Sequence, residues 1–174
     1  MNKTVELTNQ EMWRILDAIT SYKKDYALTG SVDKLYAKYP DLFSNKDKDI
    51  KSSCMAWGCE CGNGWYDILS SLCWIITQHE ENIKWHREYL EKNNPEKLKD
   101  EPEYFPVKFD QVKEKYGGLR VYHSGGDSYI NGAIAMASEM SYKICEVCGQ
   151  KGIPNQKGWI ITLCESCRDK TYKG

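Results

Sequence analysis

The sequence predicts an α+β protein. Three observations carry that prediction: one long apolar stripe at helical spacing, one pair of short β-prone runs meeting at Gly-Gly, and two Cys-x-x-Cys pairs near the C-terminus. With 174 residues, 41% of them hydrophobic, the chain is long enough to bury a core of its own. Its 24 Lys+Arg against 25 Asp+Glu exclude a generally basic nucleic-acid coat and make nucleic acid an unexpected partner, so any polyanion has to be met by a local patch. No stretch reaches the roughly 18 apolar residues that span a bilayer, and Met1 to Glu6 has no apolar signal core, so a cytoplasmic location without membrane contact is expected.

Taken in order, the first helix is expected to open at Thr8, where Thr8 and Glu11 form a capping box. Met12, Ile15, Leu16 and Ile19 supply its stripe. A short helix follows from Ser31, with Leu35 and Tyr39 on one face and Pro40 ending it, and 45–51 reads as a polar link. Cys54 to Gly64 is too glycine-rich for regular structure. A long helix then runs from Trp65 through Leu69, Leu72, Ile76, His79, Ile83, His86 and Leu90 until Asn94-Pro95 stops it, and one face should be buried along most of its length. Lys97 to Glu103 reads as a charged loop. A β-hairpin turning at Gly117-Gly118 joins a strand begun by Pro106-Val107-Lys108-Phe109 to Leu119-Arg120-Val121-Tyr122-His123. A last helix carries Ile130, Ile134, Ala137, Ser141 and Ile144. The expected organisation is a helical segment over 1–50, a helix and hairpin core over 51–144 and a zinc ribbon over 145–174.

Cys145-x-x-Cys148 and Cys164-x-x-Cys167, with fifteen residues between the pairs, match tetrahedral thiolate coordination, because each short turn aims two sulfurs at one point. One structural zinc in a four-cysteine ribbon is therefore expected, against the alternatives of redox pairs or free core thiols. Four protein ligands leave no open position, so this ion would not make the chain an enzyme. Cys54, Cys59, Cys61 and Cys73 fit a second cluster poorly, since Cys73 sits on a helix among apolar residues.

The hairpin offers the more informative surface. A turn at Gly117-Gly118 would set Lys115 opposite Arg120 and Lys113 opposite Tyr122, so that Gln111, Lys113, Lys115, Arg120 and Tyr122 share one face. Val112, Tyr116, Leu119 and Val121 would share the other. Like charges facing each other are unfavourable in a sheet, which points to an anionic partner or a carboxylate from elsewhere in the fold. An ordinary solvated cationic face is the alternative. Arg120 would make the bidentate contact, and Tyr122 or Trp65 would stack on a base. Two glycine-led helix starts, at 62–65 and 125–128, are further candidate anion sites, or simply turn glycines beside Asn63 and Asp127 caps. His123, Asp127, Glu114 and Asp67 are acid–base candidates, but no spacing joins them. His79 and His86 are about 10 Å apart on one helix face, too far to share a metal ion. They are polar members of the buried stripe or line a groove, and the seven-residue repeat suggests a homodimer with both near the interface.

Three segments carry a resemblance: Cys61-Gly62-Asn63-Gly64-Trp65-Tyr66-Asp67-Ile68, Gln111-Val112-Lys113-Glu114-Lys115-Tyr116-Gly117-Gly118-Leu119-Arg120-Val121-Tyr122, and Cys145-Glu146-Val147-Cys148-Gly149. Over about residues 58 to 167 the chain resembles small proteins of phages, prophages and bacteria that share a CGxGW segment, a VKEKFGGLRFY-like hairpin and a final CExCG knuckle. The resemblance implies a phage-type accessory protein of the host cytoplasm, with no established reaction. It suggests a host-interference or anti-defence factor that binds an anionic, nucleotide-like signalling ligand, or else a zinc-ribbon adaptor or inhibitor of a host protein. A hydrolase acting on a phosphate-containing substrate is the remaining alternative.

Overall fold

The computed structural model describes residues 31–156 and 158–172. The helix expected from Thr8 lies outside them. The chain is α+β as expected: α1 (Lys34–Lys38), β1 (Cys59–Glu60), α2 (Tyr66–Asn93), α3 (Pro95–Asp100), β2 (Lys108–Lys115), β3 (Gly118–Ser124), α4 (Ser128–Ser141), β4 (Ile153–Pro154), β5 (Thr162–Leu163) and α5 (Glu165–Tyr172), with single 3-10 turns at Cys54–Trp57 and Asn63–Trp65. The strands form a sheet in the order β1-β2-β3 and a separate β4-β5 pair. No helix among the described residues is long and apolar enough to cross a membrane.

The core gathers Trp65, Leu69, Leu72 and Ile76 from the start of α2, Phe109, Val112 and Leu119 from the sheet, and Ile130 and Ala137 from α4. Val32, Leu35, Leu42 and Phe43, upstream of the sheet, enter the same cluster. Phe43 meets Phe109 edge-on at 5.1 Å, and the Phe109 N–H donates to the Leu42 carbonyl. Within the expected polar link, Asn45 is buried, and its amide donates to the Phe109 carbonyl at 3.0 Å and the Asp110 carboxylate at 2.9 Å. That clasp sits where the β2 register shifts between Phe109 and Gln111, the irregularity at which backbone groups lack ladder partners.

α2 is 28 residues long, yet burial follows its stripe only to Ile76 and resumes at Leu90. His79 is half-buried and His86 is half exposed, because Glu80, Glu81, Lys84 and Glu88 flank the later turns and leave no apolar face wide enough to bury. The expectation that both histidines are shielded is therefore corrected for His86 within the chain. The expected loop at 97–103 begins instead as α3, with Pro95 in its first turn and the Asn94 side chain accepting from the Lys97 N–H. Asn-Pro is a helix start as well as a helix stop.

The hairpin register also differs. Lys115 pairs with Gly118, Glu114 with Leu119, Lys113 with Arg120 and Gln111 with Tyr122, so the turn is Tyr116-Gly117, at φ 54 and φ 77. Two successive positive φ values are the type I′ signature. Gly118 is a strand residue whose missing side chain makes room for the Tyr142 ring. Gly117 is fixed from two sides: its N–H donates to the Glu114 carboxylate at 2.6 Å and its carbonyl accepts the Thr162 hydroxyl at 2.6 Å. A shift of two in pairing preserves the faces, so Gln111, Lys113, Lys115, Arg120 and Tyr122 still share one side, while Tyr116 moves into the turn and is exposed.

Tyr116→Asn distinguishes the registers by sign. With residue 116 in a left-handed turn position, Asn should raise stability by about 0.5 kcal/mol in denaturant unfolding. Were 116 in a strand, the same change would lower it.

Candidate metal centre

The two cysteine knuckles sit at the ends of the β4-β5 ribbon. Residues 145–148 follow α4, and Gly149, at φ 74, lets the chain turn so that its N–H reaches the Cys145 carbonyl at 2.9 Å. Ile153 and Pro154 pair with Leu163 and Thr162, and this brings the second knuckle, at the start of α5, back to the first. There the Cys167 N–H donates to the Cys164 sulfur at 3.4 Å. The four Sγ atoms of Cys145, Cys148, Cys164 and Cys167 lie within 4.8 Å of one another, with Cys148 and Cys164 at 3.5 Å. Tetrahedral bonds of about 2.3 Å place sulfurs about 3.8 Å apart, so the donors fit a four-coordinate ion with small adjustments.

Cys145 and Cys164 are buried and the other two are half-buried, so the cluster is closed to a substrate. Burial raises the Cys148 thiol. Burial also opposes ionisation of Cys164, but the Ser166 hydroxyl, the Cys167 N–H and the Cys148 thiol outweigh it and bring that thiol down to about 6. Among the described residues this is the one group of three or more His, Cys, Asp or Glu ligands close enough to hold a metal ion. Cys59 is pushed up to about 11 by burial, and burial also raises Cys61 and Cys73, so all three are inert neutral thiols.

The first knuckle docks on the glycine-rich segment before α2. The Gly64 N–H donates to the Glu146 carbonyl at 2.7 Å, the Gly62 N–H to the Glu146 carboxylate at 2.9 Å, and the Trp65 indole N–H to the Ile144 carbonyl at 2.8 Å. A Cβ on Gly64 would overlap the Cys145 and Glu146 carbonyls. The helix start at 62–65 thus receives its anion from within the chain, which corrects its reading as a ligand site. Trp65 is fully buried, so its expected stacking on a base is corrected too. Docking glycines and phosphate-binding glycines look alike in a sequence; Glu146, between the two knuckle cysteines, is the available signal that the site is filled.

At the other glycine-led start, Asp127 caps α4, accepting the Ile130 N–H at 3.1 Å with one oxygen and His79 Nε2–H at 2.7 Å with the other. His79 stacks on Tyr129 at 4.4 Å and meets Tyr104 edge-on. His86 Nε2 lies 3.6 Å from Glu101, and both histidines line a cleft of about 390 Å3, the groove position the sequence allows. The bond between His79 and Asp127 ties α2 to the start of α4. His123 bonds the Gly125 carbonyl and Asn131, and Glu114 holds the turn, so His123, Glu114 and Asp127 have separate partners.

On the outer hairpin face Lys113 lies over the Tyr122 ring at 5.5 Å, Lys115 over Tyr116 at 5.6 Å and Arg120 over Tyr142 at 5.5 Å. Arg120 also donates to the Leu119 carbonyl, the Ser138 hydroxyl and the Tyr142 hydroxyl, so it is tied into the fold. The carboxylate that reaches this face is Glu60 of β1, beside Lys113 in register and accepting from the Gln111 amide at 3.0 Å. Against known proteins, the chain matches no family model, no curated protein and no solved structure.

Two outcomes test this geometry. Gly64→Ala should cost about 1–3 kcal/mol and loosen the ribbon, whereas Gly132→Ala, on an open face of α4, should gain about 0.5–1 kcal/mol; thermal unfolding reads both. Burial pushes Asp127 up, but His79 and the Ile130 and Tyr129 N–H groups hold it below its usual range. A depressed carboxylate gives stability that is present above its unfolded pKa of about 3.9 and lost as pH falls through the folded value. Asp127→Asn should flatten that loss in melting curves taken between about pH 5 and pH 2.5.

Proposed function

We propose that the chain is a zinc-stabilised, non-catalytic binding module of accessory type, whose working surface is the outer face of the hairpin and whose ligand is anionic and nucleotide-bearing. One observation carries the ligand reading: three cations lie on one sheet face, each over a tyrosine ring, and Lys113 and Lys115 make no ion pair with a carboxylate among the described residues. An ammonium over an exposed ring gains only about 0.5–1 kcal/mol and keeps its N–H donors free for phosphate. Arg120 acts behind them, holding Tyr142 and the β3 edge, in place of the bidentate contact expected of it. The host-interference setting follows from the resemblance of the three motifs, and location in the host cytoplasm goes with it.

Zinc suits four soft thiolates in a closed tetrahedron. Bound there, it supplies folding energy rather than chemistry. Freshly purified protein should contain one zinc per chain, and Cys148→Ser with Cys164→Ser should remove it and lower the melting temperature. Full zinc retention in the double variant would end the assignment. For the ligand, a thermal-shift panel of nucleotides, cyclic nucleotides and short oligonucleotides should contain at least one member whose stabilisation Lys113→Ala with Lys115→Ala removes.

A second reading, a protein-binding adaptor, has its own observation. Trp57, Trp74, Trp85 and Trp159 are each more than half exposed, and Trp85 stacks on Tyr89 at 5.8 Å on the outer turns of α2. Exposed tryptophan is the usual anchor of an interface, including one with a second copy of the chain. Silence across the nucleotide panel, with self-association in light scattering, would move the assignment there.

A further inference from the structure

We infer that the ligand of the hairpin face is a single-stranded stretch of several nucleotides, an inference that rests on the anionic-ligand reading and specifies its length and form. Shape is the first argument. Four clefts among the described residues, of about 860, 390, 380 and 160 Å3, are lined by α2 with the 98–108 segment, the start of α4, the Lys38-Tyr39 pair or the length of α4, and none of these four is lined by Lys113, Lys115, Tyr116 or Tyr122. A small ligand normally binds in a concavity that covers most of its surface. The hairpin face is instead an open sheet surface, where one base stacked on one ring gains only about 5- to 150-fold. A lone nucleotide therefore binds weakly, and useful affinity requires several such contacts at once.

The second argument is the arrangement of those contacts. Tyr122, Tyr116 and Trp159 are 44%, 67% and 79% exposed. Tyr122 stands at the Gln111 row and Tyr116 in the turn, and Ile160 packs against Gly117, which brings the segment that carries Trp159 to the hairpin tip. Lys113 and Lys115 fall between the first two rings, about 6.8 Å apart at about 3.4 Å per strand residue, a separation close to that of successive phosphates in an extended strand. Aromatic platforms alternating with cations along an open groove or sheet are how single strands are held without a pocket. A duplex hides its base faces from such rings, and an acidic peptide has charges for the lysines but no flat π-faces for three platforms. Glu60 at the margin accepts from Gln111, leaving the lysines as the free charges of the face.

The test is fluorescence anisotropy with the metal-replete full chain and labelled oligo-dT and oligo-U of about eight nucleotides, a length within the usual site size. AMP, UMP, a cyclic dinucleotide, a duplex of the same length and an octaglutamate peptide compete in parallel. The single strand should bind at least about tenfold more tightly than any mononucleotide. Tyr116→Ala, Tyr122→Ala and Trp159→Ala should each weaken it by about 5- to 150-fold, and Lys113→Ala with Lys115→Ala should reduce the slope of log K against log salt by about 1.4. All five positions are on the surface, and if Tyr122→Ala proves unstable by circular dichroism, Tyr122→Leu, which keeps apolar bulk without a ring, should lose the binding that Tyr122→Phe retains. A mononucleotide or cyclic dinucleotide binding as tightly as the octamer would overturn this inference while leaving the anionic-ligand reading intact. Equal binding of octaglutamate would overturn it in favour of an acidic peptide, and no binding by any probe would remove both.

Discussion

The structure depends most on the contact between the first cysteine knuckle and the glycine-rich turn that starts α2. Glu146 offers its carbonyl to Gly64 and its carboxylate to Gly62, while the residue just before the knuckle offers the Ile144 carbonyl to Trp65. Two of the bonds satisfy backbone N–H groups at the helix start and the third satisfies the buried Trp65 indole, where an orphan donor would cost about 1–3 kcal/mol. The contact is permitted only because residues 62 and 64 carry no Cβ. A ribbon too small to hold its own core is thereby seated on a helix that has one.

The same ribbon reaches the hairpin at a second point. Thr162 donates to the Gly117 carbonyl and Ile160 packs on Gly117, while Tyr142, at the end of α4, lies over Gly118. Each of these contacts favours the observed register over the alternative one. The free edge of β3 is closed in the same region: the Ser141 hydroxyl accepts the Leu119 N–H, and the Ser138 hydroxyl donates to the Leu119 carbonyl. Hydroxyls on a helix thus replace a fourth strand, and the edge has no unpaired ladder groups there to recruit another chain.

These contacts explain how much of the molecule is legible in the sequence. The long helix, the hairpin, the α4 stripe and the four clustered cysteines are set by local spacing, and local spacing is what a sequence displays. The turn is misplaced from sequence because Gly117-Gly118 satisfies the local rule for a hairpin, whereas the reason for Gly118 is a ring that arrives from Tyr142. β1 is invisible because two residues between Gly58 and Cys61-Gly62 carry no alternation to read. Trp65 suggests a ligand contact since an aromatic residue after a glycine loop looks the same whether it faces solvent or a carbonyl of the knuckle. The histidines of α2 continue an apolar repeat in period only. Burial ends where charged neighbours narrow the stripe, and their partners, Asp127 and Glu101, come from distant sequence.

These couplings give the cysteine cluster influence over a face it does not touch. A bound ion would fix the separation of the two knuckles and therefore the position of Thr162 and Ile160 against the hairpin tip. The tip in turn sets where Tyr116 and Lys115 stand relative to Tyr122 and Lys113, because the type I′ turn leaves little freedom in the pairing of β2 with β3. Without the ion, the knuckles would be held by a two-residue ladder, the Cys148–Cys164 contact, the Glu146 bonds and the Arg168 guanidinium on the Ile153 and Leu163 carbonyls. So short a ladder is marginal by itself. For the proposed binding surface, an ion held by the four cysteines would act by pre-organisation: it would reduce the number of arrangements the aromatic rings and lysines give up when the proposed ligand binds.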